Sequence, residues 1–233
     1  MKALYFKELG YYLKNPIGYI VVVLFAVFAN FLFLKDIFAI GSASMRPFFD
    51  MLPWLFMIFI PAVAMRVFAE ERRSNTLETL LTLPVSETQI VLAKFFGVVT
   101  IVVLGLSLTL GIPILLTVLS GMAIQEVMVG YLGALLLASL FAAISILFSS
   151  LTKNQVVAFL SAALVLFFLV LLNSDFTSNV IPRELLNLLS PLAPVTQYDS
   201  FVKGLIDLRA VVYMLSFTAL FIGLTVIDLE KRS

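Results

Sequence analysis

Six apolar stretches free of Asp, Glu, Lys and Arg alternate with short polar ones along this chain: residues 15–34, 51–65, 95–125, 127–152, 154–174 and 210–227. A helix needs about 20 residues to cross the hydrocarbon core of a bilayer, and every run except 51–65 approaches or exceeds that length. The short run extends to Pro47 past Asp50 and to Phe68 past Arg66, because charged groups near a span end can reach the interface. The pattern predicts an all-α membrane protein, a single transmembrane domain over 1–233 with six spans. The longest run holds Gly111, Pro113, Ser120 and Gly121, which mark its end and a short outer turn before Glu126.

Three polar or mixed segments carry further pattern. Residues 1–16 place Tyr5, Phe6, Leu9, Tyr12 and Leu13 on one side of a helix and Lys7, Glu8, Tyr11 and Lys14 on the other. That division predicts an interfacial helix, turned into the membrane by Asn15 and Pro16. Residues 70–90 form the second segment, within an island that holds eight of the chain's charged side chains: Arg66, Glu70, Glu71, Arg72, Arg73, Glu78, Glu87 and Lys94. Leu77, Leu80 and Leu81 share one face of a short helix, Asn75 with Glu78 has the form of a capping box, and Pro84 ends the helix. Ser86 with Gln89 opens the next one. Residues 176–208 predict an outer helical hairpin. Pro182 starts a helix bearing Leu185, Leu186, Leu188 and Leu189, Pro191 and Pro194 break it, and Gln197 to Ile206 form a second, serving as a cap on the bundle or as a gate.

Composition fixes the solvent as lipid: 62% of residues are hydrophobic, 12% are charged and the mean hydropathy is +1.12. The net charge of +1 says little, but the positions of the charges say more. Lys2, Lys7, Lys14, Arg66, Arg72, Arg73, Lys94, Lys153, Lys231 and Arg232 fall on one side of the predicted membrane. Lys35, Arg46, Arg183, Lys203 and Arg209 fall on the other. The positive-inside rule then places both termini and the 70–90 segment in the cytoplasm, in a bacterial inner membrane. The first span is read as a retained anchor, since Lys35 and Asp36 follow it rather than a small-residue cleavage site.

Absences narrow the chemistry. The chain has no Cys and no His, which removes thiolate metal sites, a Cys nucleophile and the usual general base. No acidic residue, Lys or His occupies the middle of a span, as an ion-coupled carrier would require. No Gly-Lys dipeptide exists, so the chain holds no G-x-x-x-x-G-K phosphate loop. Neither a catalytic residue, a metal site nor a nucleic-acid partner is expected, and energy for uphill movement must come from another subunit. Inside the spans, Gly130, Ala134, Ala138 and Ala142 form a small-residue ladder, repeated by Ala158 and Ala162. Pro53, Pro61 and Pro113 predict kinks. Asn30, Ser107, Thr109, Ser139, Ser145 and Ser161 are expected to bond to helix backbone.

The run PAVAMRVFAEERRSNTLETLLTLPVSETQIVLAKF, residues 61–95, resembles the signature of ABC-2 type permeases: an acidic-basic pair, T-x-E-x-L-L, a Pro-x-Ser turn, then a helix with Lys near the membrane. KEL and NPIGY near the start, MRPFFDMLPWLFMIFIPA, SSLTKNQVVAF and QYDSFVKGLIDLR extend the likeness, which is similar to the gliding-motility-associated subgroup. The resemblance implies a permease subunit of an ATP-binding-cassette transporter, with export as the direction and with ATP and Mg bound by a separate ATPase. It implies a second permease subunit and a membrane-anchored extracytoplasmic accessory protein as further partners. Glu71, Thr76, Leu77, Glu78, Leu80, Leu81 and Pro84 match the family's coupling motif, the three leucines filling a groove of the ATPase. The alternative is a non-transporting subunit that transmits ATPase motion to an extracytoplasmic partner.

Overall fold

The computed structural model describes residues 2–40, 44–81, 84–120, 123–172 and 192–231. Among these residues the chain forms eleven helices and no strand. They are α1 (Lys2–Lys14), α2 (Pro16–Ile40), α3 (Arg46–Ala64), α4 (Arg66–Arg73), α5 (Thr76–Leu81), α6 (Glu87–Ser107), α7 (Gly111–Ser120), α8 (Ile124–Leu151), α9 (Gln155–Leu171), α10 (Pro194–Val202) and α11 (Leu208–Glu230).

Five helical segments are long and apolar enough to cross a membrane: Gly18–Lys35, Arg46–Arg73, Glu87–Val118, Ile124–Leu151 and Leu208–Glu230. The remaining predicted span, from the run at 154–174, forms α9, apolar and 17 residues long. The end of that run, 173–174, lies outside the described residues, as does 176–191 of the predicted hairpin. The segment Glu87–Val118 is two helices rather than one, with a turn at 108–110 between α6 and α7. Pro113 therefore sits in the first turn of α7, where its missing N–H costs little. Pro53 and Pro61 do lie inside α3.

α8 is the centre of the bundle. It packs against α3, α11, α10, α9, α4 and α6, and 67% of its span is buried against 28% for α2 and for α11. The small-residue ladder makes this crowding possible. Gly130, Ala134, Ala138 and Ala142 are all buried within the chain, and a Cβ on Gly130 would stand 2.3 Å from the Phe49 ring. On the neighbouring Gly133 it would meet Phe201 at 2.3 Å. Gly130 of the ladder thus seats α3, and Gly133 beside it seats α10, inside one subunit. Phe49 also stands edge-on to Tyr131 at 5.5 Å, and the Tyr131 hydroxyl meets Thr109 Oγ1 at 2.9 Å. Span hydroxyls bond to backbone as expected: Ser107 to Leu104 O, Ser139 to Leu135 O, Ser145 to Phe141 O and Ser161 to Val157 O.

The second half of the predicted hairpin is a helix, but it starts earlier than expected and does not rest on the surface. Pro194 opens α10 in its first turn, and Tyr198 and Phe201 are fully buried. Tyr198 donates from its hydroxyl to Phe49 O at 3.2 Å. Gly204, at φ 75°, lets the chain leave α10 close to the Glu126 side chain, and Asp207 then caps α11 by accepting from Arg209 N at 2.8 Å.

α1 forms as predicted, and Asn15 bends the chain into α2, accepting from Gly18 N at 3.1 Å. Its inward face differs from the expected one. Phe6 and Leu13 are exposed, whereas Leu4, Leu9 and Tyr12 pack on the core. Glu8, expected on the water side, points at α6, because a buried cation there needs it. Two hydrogen bonds tie down this face: Tyr5 OH with Thr100 Oγ1 at 2.9 Å, and Tyr12 OH to Val63 O at 3.0 Å.

Candidate functional site at the α1, α4 and α6 junction

Lys94 stands two turns inside α6 and is 3% exposed. Its ammonium donates to Glu8 Oε1 at 2.9 Å, Glu71 Oε1 at 2.8 Å and Val67 O at 3.0 Å, and lies 5.1 Å from the centre of the Phe68 ring. All three ammonium protons are therefore used. One buried cation ties the interfacial helix and α4 to a membrane span. Beside it, Arg66 forms an ion pair with Glu70 at 3.2 Å, donates to the Tyr11 hydroxyl and stacks over the Tyr11 ring at 4.6 Å. Tyr11 OH in turn donates to Glu70 Oε2 at 2.8 Å. Partial burial first, and then the bond to Glu70, push the Tyr11 hydroxyl above its ordinary pKa, so it stays protonated at neutral pH.

The break between α3 and α4 has a specific cause. Met65 N still reaches Pro61 O at 2.8 Å, but the next ladder is opened by a side chain from α8. Ser149 Oγ accepts from Phe68 N at 3.1 Å and Ala69 N at 3.2 Å and donates to Met65 O at 2.8 Å. A hydroxyl has one proton and two lone pairs, and all three are engaged. Ser149 thus acts as an N-cap supplied from another helix. Arg72 adds a second tie, donating to Ser150 O. Ser149→Ala should cost about 1–3 kcal/mol, because it strands buried backbone groups. Faster hydrogen exchange at the Phe68 and Ala69 amides would report the loss. Ser161→Ala, which removes bonds only within α9, should leave stability nearly unchanged.

Beyond α4 the chain turns tightly. Ser74 Oγ donates to Glu70 O at 2.9 Å and meets Thr76 Oγ1 at 2.8 Å, and Asn75 takes φ 56°. The expected capping box is therefore not formed. An N-cap needs extended backbone, whereas a two-residue turn drives Asn75 into the left-handed region, which Asn tolerates. The second predicted cap does form: Ser86 accepts from Gln89 N at 3.3 Å.

The residues matched to the coupling motif separate into two groups. Glu71 is held by Lys94. Leu77 and Leu80 are each 6% exposed and belong to the chain's own buried cluster. Thr76, Glu78 and Pro84 are exposed. Leu81 ends α5, and its side chain lies outside the described residues. Among the described residues Glu78 makes no hydrogen bond. Sequence reasoning had not singled out Ser149, Arg66, Tyr11 or Glu8 for this site. The one available signal was Lys94 itself, since a Lys inside an apolar helix must find carboxylates.

Around this cluster α1, α4 and the α4–α5 turn enclose a cavity of about 510 Å³. The described residues hold no cluster of metal-ligating side chains. The profile of the ABC-2 family transporter proteins matches residues 7–229, nearly the whole chain and all of the site. The chain belongs to the ABC-2 transporter family. No curated protein matches it. As a member of that family this ABC-2 permease is a multi-pass membrane subunit of an ABC transporter, and membership implies an ABC ATPase partner and dimerisation in the membrane.

Proposed function

We propose that this ABC-2 permease receives the motion of its ATPase through α4 and α5, and that the Lys94 and Ser149 ties carry that motion into α1, α6 and α8. The supporting observation is the buried ammonium of Lys94 held between Glu8 and Glu71. It joins α1 and α4 to a span with charge-assisted bonds that resist being pulled apart. Because Leu77 and Leu80 are buried against their own chain, docking falls to the outer face of α5, with Glu78 exposed at its first turn. An exposed carboxylate with no hydrogen bond among the described residues favours an ion pair with a basic residue of the ATPase over a capping role.

The wider reading keeps six spans, with α9 as the remaining one. Its 17 residues are within the range a thin or locally adapted bilayer accepts, about 17–25. Both termini and the α4–α5 elbow lie on the cytoplasmic side of an inner membrane, and ATP and Mg bind to the partner ATPase. Export is the direction, and a membrane-anchored extracytoplasmic protein of the gliding-type subgroup completes the assembly.

The test is retention of the ATPase during purification of the complex. Glu78→Arg should weaken it by at least on the order of tenfold at low salt, since like charges across an interface cost several kcal/mol. The loss should shrink at high salt, while the melting temperature of the isolated permease stays constant. Unchanged retention at low salt would overturn the docking role of the outer face.

A further inference from the structure

Two weak points in the spans, at the end of the bundle opposite the Lys94 cluster, are each closed by a tyrosine hydroxyl from another helix. The first lies at Pro53, inside α3. Proline has no N–H, so the carbonyl of Phe49, four residues back, loses its donor within the helix. The Tyr198 hydroxyl of α10 supplies the missing proton at 3.2 Å. Phe49 and Tyr198 are both fully buried, so water cannot take over the bond.

The second weak point is the turn at 108–110 between α6 and α7. Here the backbone falls back on bonds of shorter range, Thr109 N to Leu106 O at 3.0 Å and Leu110 N to Ser107 O at 3.2 Å. Thr109 Oγ1 gives its one proton to Leu106 O at 2.7 Å, so in its 2.9 Å contact with Tyr131 the tyrosine is the donor. Thr109 is fully buried as well. Beyond the turn, α7 exposes Ile114, Leu115 and Val118.

Phe49 joins the two points. Its carbonyl takes the Tyr198 proton, and its ring stands edge-on to the ring of Tyr131 at 5.5 Å. That ring fits only because position 130 is Gly, and Phe201 of α10 fits against Gly133 for the same reason. A path of buried contacts thus runs from α10 through Phe49 and Tyr131 to the α6–α7 turn.

We propose that Tyr198, Phe49 and Tyr131 form a latch that makes α3 bend at Pro53 only together with the α6–α7 turn. A proline gap and a broken ladder are where a span bends most readily, and packed side chains with hydrogen bonds carry coupling between such points. Pivoting α3 at Pro53 draws Phe49 O away from Tyr198 and the Phe49 ring away from Tyr131. α3 continues into α4 within one segment, Arg46–Arg73. On the reading that α4 receives the ATPase stroke, this latch is what the stroke must release to move the far end of the bundle.

The experiment is hydrogen exchange read by mass spectrometry on the 233-residue permease in detergent, without the ATPase, so that its outcome is independent of the Glu78→Arg test. Tyr198→Phe removes one hydroxyl and should speed exchange at least fivefold both in α10 and at the 108–110 turn. Tyr131→Phe should do the same at both places. Ser161→Ala, which lies outside the path, should change neither. Pro53→Ala restores an N–H for Phe49 O, so in its background Tyr198→Phe should no longer speed exchange at the turn. An effect of Tyr198→Phe confined to α3 and α10, with the turn unchanged, would overturn the latch. The same acceleration at the turn with Pro53→Ala present would overturn the role given to the proline gap. Should Pro53→Ala fail to fold, the reciprocity of Tyr198→Phe and Tyr131→Phe decides the matter, and an effect of each on its own side alone refutes the coupling.

Discussion

Lys94→Met should destabilise the permease by about 3–5 kcal/mol, the usual cost of leaving buried charges without their partner. The substitution keeps the length and apolar stem of the side chain, so packing alone predicts a small effect. What it removes is the ammonium between Glu8 and Glu71, whose side chains are only 13% and 19% exposed. Two carboxylates would then face each other in a site with little water. The measurement is thermal or denaturant unfolding in detergent, with a matched set of variants. Adding Glu8→Gln and Glu71→Gln to Lys94→Met should recover most of the loss, since neutral amides carry no such penalty. Adding Glu70→Gln instead should recover nothing, because Glu70 belongs to the Arg66 pair. A Lys94→Met protein as stable as the parent would mean that the charge cluster does not hold α1 to the bundle.

Leu77→Asp and Leu80→Asp should each unfold the α4–α5 elbow, whether or not the ATPase is present. Each leucine is 6% exposed, so the change forfeits about 2 kcal/mol of apolar burial. It also buries a carboxylate in an apolar cluster, which costs several kcal/mol more. The decisive reading is the melting temperature of the permease alone. A large drop there means that the leucine face is structural, as its burial in this structure implies. An unchanged melting temperature combined with loss of the ATPase would return these leucines to an intersubunit groove. Glu78→Arg provides the contrast, since it sits on the exposed side of the same helix and should alter association without altering stability.

The leucine face illustrates where sequence reading stops. Spacing alone put Leu77, Leu80 and Leu81 on one side of a helix, and a helix is what formed. Spacing carries no information about which body that side meets. Inside the spans the ambiguity is greater, because lipid-facing and protein-facing positions are both apolar. On α8 the small-residue ladder reduced that ambiguity, since a small residue at Gly130 allows the approach of Phe49. On α1 no such marker existed. Phe6 and Leu13 were grouped with Tyr12 by hydropathy, yet only Tyr12 is buried.

By itself the sequence determined the solvent, the helical class, the position of the charged elbow, the Ser86 cap, the bend at Asn15 and the resemblance to the ABC-2 family, though not to its subgroup, that residues 7–229 bear out. All of these depend on composition or on residues a few positions apart, where hydrophobic period and capping chemistry act directly. The tertiary structure alone decided the partners of Lys94, which lie 86 and 23 residues away, and the cap that Ser149 lends to α4 across 81 residues. It also decided the left-handed turn at Asn75 and the inward face of the leucines. The physical reason is common to them. A buried charge or an orphan amide must be satisfied by whatever polar group the packing of the helices brings within about 3 Å, and that packing is a property of the whole bundle.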